Sequence, residues 1–329
     1  MKALVAGGAG YIGSHTCKLL AKNGHEVLVY DNLSTGYRDF ARWGDFVHGD
    51  VCDTQKLREV FRAWRPDVVI NFAGYINVGE SVRNPGKYFR NNVVGVLSML
   101  EAMRDEDVRN IVVSGTCAVY GVPERMPIVE SMPTAPINPY GATKLFMEQM
   151  LGDFERAHNL NWMSLRYFNA AGSDPEGEIG ELHVPETHLI PRVIMAAMGV
   201  QPAIEIFGAD YPTADGTCVR DYVHVDDLAR AHILAAGHLI NGGASMAVNL
   251  GTGQGASIRE IVGRMEKLCG HKIAAVDRER RAGDSPCLVA DAALARNVLG
   301  WQAEKDLDNM LADAWNFLRT RGDFLRKSC

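Results

Sequence analysis

Short apolar runs alternate with stretches of helical periodicity through the first half of the chain. The runs Ala3–Ala6, Glu26–Tyr30, Asp45–His48, Asp67–Phe72, Arg109–Ser114 and Asn161–Phe168 read as strands. Between them, Ile12–Asn23, Thr54–Trp64, Pro85–Asp105 and Pro139–His158 repeat apolar residues at helical spacing. Gly24 suits a helix stop before the second strand, and Asp53 suits an N-cap. Apolar strands alternating with helices predict βαβ units and a doubly wound parallel α/β sheet of the Rossmann type, covered on both faces.

The second half changes texture. Residues Ser173–Glu186 are rich in Gly, Pro and Glu and read as a long loop, as do Phe207–Arg220. Thr187–Gly199, Ser257–Cys269 and Asp306–Arg321 read as helices. Long loops in a compact domain are more often functional than idle. The pattern predicts a dinucleotide-binding domain over residues 1–172, with segments near 219–250 returning to it. Residues 173–329 then form mainly a smaller mixed α/β substrate-binding domain.

Composition narrows the class. The 329 residues are 47% hydrophobic, enough for about two domains. A net charge of −6 leaves no basic footprint for nucleic acid. No apolar run approaches a membrane span and the N-terminus does not read as a signal peptide, so a cytoplasmic protein is expected. The seven cysteines, Cys17, Cys52, Cys117, Cys218, Cys269, Cys287 and Cys329, show no zinc-ligand spacing and read as reduced thiols. The histidines His15, His183, His188 and His224 look scattered, and no metal is expected.

The first strand runs into Gly7, Gly10 and Gly13, which open the first helix. Such glycines permit a tight turn and close backbone approach to a pyrophosphate, and the helix N-terminus then offers N–H groups to the anion. Asp31 ends the second strand at the distance where an acidic residue accepts the adenosine ribose hydroxyls. The same carboxylate repels a 2′-phosphate, so NAD is expected rather than NADP. Asp50 and Val51, after the third strand, are placed to flank an adenine.

Tyr140 and Lys144 lie four apart in Pro-Tyr-Gly-Ala-Thr-Lys and share a helix face. An ammonium beside a phenol is expected to lower its pKa and make Tyr140 a base at neutral pH. The fifth strand ends near Ser114 and Thr116, where ligands bind in open parallel sheets, and either hydroxyl could meet the reacting oxygen.

Nearly end to end, the sequence resembles the extended short-chain dehydrogenase/reductase family, and within it the UDP-glucose 4-epimerase branch. The carrying motifs begin with Gly7-Gly-Ala-Gly-Tyr-Ile-Gly-Ser-His15, Asp31-Asn-Leu-Ser-Thr-Gly36, Gly79-Glu-Ser-Val82, Asn91-Asn-Val93 and Tyr140-Gly-Ala-Thr-Lys144. They continue with Leu165-Arg-Tyr-Phe-Asn169, the run from Phe207 to Tyr222, and Arg280-Arg-Ala-Gly-Asp284. The resemblance implies a tightly held NAD. Tyr11, Ile12, Asn32, Ser34, Phe72, Ala73, Asn91, Ser114 and Tyr167 join Gly7, Gly10, Gly13, Asp31, Asp50 and Val51 around it. It implies that Tyr140 is base and acid, that Lys144 tunes it and holds the nicotinamide ribose, and that Thr116 stands beside the sugar, where many relatives carry serine. Asn169, His188, Leu189, Arg220, Arg281, Asp284 and Leu288 fall at positions that hold the UDP-sugar. A homodimer through the helices of Pro85–Asp105 and Pro139–His158 is implied as well. Ile76 departs from relatives that carry a lysine there, near the cofactor phosphates.

Epimerisation, dehydration and decarboxylation of a nucleotide-sugar share oxidation at C4. Similar dehydratases carry Asp-Glu after the strand-five threonine, and related decarboxylases a Glu, where this chain has Cys117 and Ala118. That absence of a second acid favours an epimerase, with UDP-glucose and UDP-galactose as first-choice substrates. A UDP-N-acetylhexosamine stays open because the resemblance makes position 288 set the room for the C2 substituent and Leu288 is intermediate in size, and UDP-pentose or UDP-uronic acid substrates fit the same scaffold. A nucleotide-sugar dehydratase or reductase is the competing enzyme class. A redox-sensing NAD(P) scaffold is disfavoured, since such scaffolds often lose the Tyr/Lys pair.

Overall fold

The computed structural model describes residues 1–281 and 284–326. Seven strands form one parallel sheet: β1 (Lys2–Ala6), β2 (Glu26–Asp31), β3 (Asp45–His48), β4 (Val68–Asn71), β5 (Asn110–Ser114), β6 (Asn161–Tyr167) and one late strand, Met246–Leu250. They run in the order β3-β2-β1-β4-β5-β6 and then the late strand. The order reverses between β1 and β4, and that reversal opens a crevice at the carboxyl ends of the strands.

Both faces of the sheet are covered. Ala3 and Val5 point to one face with Val27 and Val29, against α1 (Tyr11–Lys22) and a helix of residues Val225–Ile240. Leu4, Ala6, Leu28 and Tyr30 point to the other, with residues of α2 (Thr54–Trp64) and of the helices Gly95–Asp105 and Pro139–His158. Alternate residues facing two buried layers explain why these strands read as continuous apolar runs. Asp53 does cap α2, accepting from the Lys56 N–H at 2.9 Å.

The Pro85–Asp105 stretch is not one regular helix. After the short α3 (Val78–Arg83), α4 (Pro85–Tyr88) passes through a π-helical turn, Phe89–Val94, into α5 (Gly95–Asp105). The widened turn presents Asn91 and Asn92. Buried Asn92 accepts from the Tyr75 N–H at 2.9 Å and donates to the Tyr75 carbonyl at 3.0 Å and to Thr143 Oγ1 at 3.2 Å. The next helix, α6 (Pro139–His158), carries the tyrosine and lysine.

Smaller sheets build the rest. In one, β7 (Asn169–Ala171) and β9 (Val219–His224) are parallel, with Gly255–Ser257 antiparallel and Cys287–Leu288 parallel to β9. In the other, β8 (Ile204–Phe207) pairs with Ala275–Arg278. A separate core joins α7 (Leu189–Ala197) to the helices Ile258–Cys269 and Leu307–Leu318 through Ile190, Ile194, Ile261, Met265, Leu311 and Phe317. Within residues 219–250, β9 thus lies in the small sheet, while α8 (Val225–Ile240) and β10 (Met246–Leu250) accompany the large one.

Candidate active site

A cavity of about 610 Å³ opens over the reversal point. Gly7, Gly10, Tyr11, Ile12, Gly13, Asp31, Asn32, Ser34, Val51, Phe72, Ala73, Asn91, Ser114, Tyr167 and His188 line it. Asp50 stands just behind, accepting from Asn32 Nδ2 at 2.9 Å and from the Cys52 N–H at 2.8 Å.

Two glycines make the turn. Gly7 has φ +76° and a Cβ there would lie 2.6 Å from the Ala73 nitrogen; one on Gly13 would lie 2.2 Å from the Gly7 carbonyl oxygen. The turn's packing against the backbone after β4 leaves no room for a side chain at Gly7, and its packing against the helix leaves none at Gly13. Gly10 gives α1 no side-chain cap. The N–H groups of the first turn have no intrahelical acceptor and face the cavity, an arrangement suited to a pyrophosphate. Asp31 Oδ2 accepts from the Ala9 N–H at 3.0 Å and Oδ1 from the Leu33 N–H at 2.7 Å. This fixes the carboxylate at the cavity edge with lone pairs left for ribose hydroxyls. The residues present therefore fit a dinucleotide.

Ile76 is exposed on the cavity wall, and Arg83 and Lys87 line the same cavity. Lys87 Nζ pairs with Glu80 at 2.6 Å and sits 4.1 Å from the centre of the Tyr75 ring. These cations are on the cavity side although position 76 is apolar. Sequence reading missed them because charges on a short helix look like a solvated face.

The tyrosine–lysine pair lies behind this wall. Asn138 caps α6 by accepting from the Gly141 N–H at 2.8 Å, and Pro139 takes the first helical position, which sets Tyr140 in the first turn. The Tyr140 N–H donates to Ser81 Oγ at 3.2 Å, tying α6 to α3. Lys144, one turn on, is buried and donates from Nζ to the Ser114 carbonyl at 2.8 Å. The Ser114 hydroxyl is hydrogen-bonded to Tyr167. Thr116 begins the turn Cys117–Tyr120, accepts from the Ala118 N–H at 3.2 Å, and is near enough to the Tyr140 phenol to lower its pKa.

The electrostatics correct one expectation. Burial pushes the Tyr140 phenol up to about 12, with the nearby Thr116 side chain opposing and the neighbouring Cys117 adding to the rise. Burial also lowers the Lys144 ammonium to about 8, against the pull of Glu148. The protein alone therefore does not depress the phenol as helix spacing suggested. Burial dominates, and the Lys144 Nζ is committed to the Ser114 carbonyl. Cys117 is pushed up to about 12, by burial first, and stays a neutral thiol beside the couple.

The expected UDP-sugar residues other than His188 do not line this cavity; among them, Asn169 Nδ2 donates to the Asp221 carbonyl at 3.1 Å, joining β7 to β9. Arg220 and Leu288 are register partners on adjacent strands. Arg220 donates to the Ser285 carbonyl at 2.8 Å and faces Asp284 at 3.7 Å. An ion pair of Arg220 with its neighbour Asp221 does not form. Asp221 instead accepts from Thr252 and from the Gly253 and Ala290 N–H groups. Arg281 packs over the Phe207 ring at 3.7 Å. Leu189 opens α7 next to His188.

The histidines are not all scattered. His183 and His188 meet with ring centres 5.1 Å apart, beside buried Glu181 and Glu186. The signal, Glu-x-His-x-x-Glu-x-His over residues 181–188, was missed because it lies on an irregular loop. His15 and His224 pair instead with Asp226 and Asp313.

A doubly wound parallel sheet with a glycine-cradled dinucleotide cleft and a tyrosine–lysine pair on the helix after the fifth strand, the lysine buried, defines a nicotinamide-dependent enzyme of the short-chain dehydrogenase type. Residues 3–251 match the NAD dependent epimerase/dehydratase family. A UDP-glucose 4-epimerase of Rhizobium meliloti is 49% identical over 314 residues, covering 95% of this chain and 96% of the relative. The crystal structure of a UDP-glucose 4-epimerase from Brucella ovis in complex with NAD is 54% identical with a TM-score of 0.94, covering 95% of this chain and 97% of that one. One from Stenotrophomonas maltophila, with bound NAD and formylated UDP-arabinopyranose, is 39% identical with a TM-score of 0.95 and covers 98% and 99%. The chain belongs to the NAD dependent epimerase/dehydratase family and, within it, to the UDP-glucose 4-epimerases.

Proposed function

We propose that this protein holds NAD in the glycine-cradled cleft and interconverts a UDP-sugar at C4, with UDP-glucose and UDP-galactose as its pair. The observation that carries the reading is the Lys144 ammonium on the Ser114 carbonyl at 2.8 Å, which sets Tyr140, one turn earlier on the same helix, at the end of β5 near Thr116, with a neutral thiol, Cys117, where a second acid would stand. When bound, NAD supplies the acceptor and the donor for the C4 hydride.

The chain's own residues handle the proton and the position of the sugar. Tyr140 takes the proton of the 4-hydroxyl and returns it. Thr116 holds the sugar oxygen next to the phenol. Lys144 carries positive charge toward the phenol and the nicotinamide ribose. Because burial alone raises the phenol, the reading assigns its activation to the positive charge of the bound nicotinamide together with Lys144. Arg220, Arg281, Asp284 and Asn169 grip the UDP half, so the 4-keto sugar can turn about an anchored diphosphate. His188, Leu189 and Leu288 border the sugar.

Relatives with UDP-glucose 4-epimerase names and a neighbour bound to NAD and a UDP-pentose derivative support this reading. The division into a dinucleotide domain over residues 1–172 and a mainly substrate-binding part over 173–329 belongs to the same proposal. So does a homodimer through the helical stretches Pro85–Asp105 and Pro139–His158, where Val94 and Phe146 are exposed apolar residues. A cytoplasmic setting agrees with the six unpaired cysteines among the described residues. No described helix is long and apolar enough to cross a membrane.

The test is incubation of the purified protein with UDP-galactose. Formation of UDP-glucose, with no net NADH and no loss of water, is the expected outcome. Accumulation of a dehydrated 4-keto sugar would replace epimerisation by dehydration.

A further inference from the structure

The loop of residues 173–188 brings four ligand-type side chains to one point, and none of the chemistry above uses them as a set. Glu181, His183, Glu186 and His188 each offer one atom, and the four atoms lie within 4.8 Å of one another. His183 Nδ1 is 3.5 Å from Glu181 Oε1 and 3.6 Å from Glu186 Oε2, while His188 Nδ1 is 3.6 Å from Glu186 Oε1. Donors about 2.0–2.1 Å from a tetrahedral ion are separated by roughly 3.3 Å; the two edges from His183, to Glu181 Oε1 and Glu186 Oε2, are close to that, while His188 approaches the other Glu186 oxygen, Oε1. The fourth distance, His188 Nδ1 to Glu181 Oε1, is 2.6 Å and needs to open by a rotation of one side chain.

Two further features point to a ligand. His183 Nδ1 and His188 Nδ1 are buried atoms that lack a well-directed hydrogen bond, although both face carboxylates. Glu181 and Glu186 are both buried, and two carboxylates out of water need positive charge. Glu186 is also fixed independently. Its Oε1 accepts from the Thr187 and His188 N–H groups at 2.7 and 2.8 Å, which holds the carboxylate still at the start of α7. The other acidic group of this loop, Asp174, Glu176 and Glu178, already has the Lys18 ammonium at its centre, 2.7–2.9 Å from all three, where an ion would otherwise sit.

We propose that Glu181, His183, Glu186 and His188 form a structural site for a divalent transition-metal ion, with zinc as the best fit. Two imidazoles and two carboxylates are a donor set that zinc accepts in four-coordinate geometry, and two carboxylates neutralise its charge. All four positions come from the protein, so no position is left for a reacting water or sugar oxygen. The ion is a clasp rather than a catalyst. It joins the loop, which lines the dinucleotide cavity at His183 and Thr187, to the first residues of α7. The inference does not depend on which sugar the enzyme turns over.

The experiment uses the full-length protein without an affinity tag and with its cofactor in place. After dialysis against metal-free buffer, elemental analysis is expected to find about one zinc per chain, as for a closed four-ligand site. Cobalt added to metal-stripped protein is expected to give the intense visible bands of four-coordinate Co²⁺. Loss of an outer-shell partner alone weakens metal sites roughly 10- to 100-fold, so His183→Ala and Glu181→Gln should each weaken zinc binding at least about 100-fold. Wild-type protein that neither retains zinc nor takes it up saturably overturns the proposal. So does a weak, six-coordinate cobalt spectrum, which decides the matter on wild-type protein even where a variant fails to fold. Zinc bound as tightly by His183→Ala as by wild type overturns it as well.

Discussion

Lys144 donates from Nζ to the main-chain carbonyl of Ser114 at 2.8 Å, so the helix that carries the proposed base is tied to the end of β5. With burial lowering it to about 8, the lysine is charged below that pH and neutral above it. If its charge is what makes the phenol a usable base, kcat/KM, which reports groups of the unliganded enzyme, should fall as pH rises through about 8. Arginine keeps its charge throughout this range. Lys144→Arg should therefore lose rate at neutral pH but shift the descending limb upward. A limb that stays in place in that variant would assign it to another group.

Removing the phenol oxygen should have the largest effect on turnover. General acid–base catalysis contributes about 10²- to 10⁴-fold, and Tyr140→Phe should lose at least that much kcat. Retention of the cofactor and an unchanged melting temperature would separate this from misfolding. Thr116→Val leaves the phenol and its pocket but removes one hydrogen bond. At about 1–3 kcal/mol, the expected loss is about 5- to 150-fold. Equal losses in the two variants would move the base away from Tyr140.

The large sheet could be read from the chain because every strand of the first half is an apolar run between helical patterns. The helix Val225–Ile240 was not read. It is alanine-rich and buried along much of its length, so its periodicity is blurred. The glycine turn and Asp31 were legible because backbone proximity restricts which residues fit there. The direction of the Tyr140 pKa was not, because it depends on burial and on where Lys144 Nζ points. The residue 181–188 cluster was hidden for a related reason: an irregular loop has no period, so its ligands converge only in three dimensions. Arg166, within the Leu165-Arg-Tyr-Phe-Asn169 motif, is a further case. It is buried and pairs with Glu148 on α6 at 2.5 Å, so it braces the helix that carries Lys144.

His232 should make the fold acid-sensitive. The ring is buried, packs 4.4 Å from the centre of Phe72, and has Nδ1 2.8 Å from the Leu228 carbonyl. Burial lowers it to about 4. An unfolded chain takes up this proton from about pH 6.5 downward, while the native protein resists until about 4. Stability is then complete above 6.5 and declines as pH falls between those values, by about 3 kcal/mol from this group. Urea unfolding of wild type and His232→Leu over that window checks it. The leucine variant should lose that part of the slope, and parallel slopes would show that other groups dominate.

Asp31 should decide between the two nicotinamide dinucleotides. Its oxygens are aimed by the Ala9 and Leu33 N–H groups at 3.0 and 2.7 Å, which leaves the outward lone pairs for the ribose. Hydrogen bonds to a charged acceptor contribute about 1.5–3 kcal/mol, so Asp31→Ala should weaken NAD binding by about 10- to 150-fold. The same change removes a negative charge from the place where a 2′-phosphate would sit. Affinity for NADP should thus rise relative to NAD even as total affinity falls. Titration of metal-equilibrated, cofactor-free protein with each dinucleotide measures both quantities. The ratio is the informative one, because loosening of the loop after β2 would weaken both ligands alike. A ratio unchanged by the substitution would show that Asp31 anchors the loop without reading the ribose.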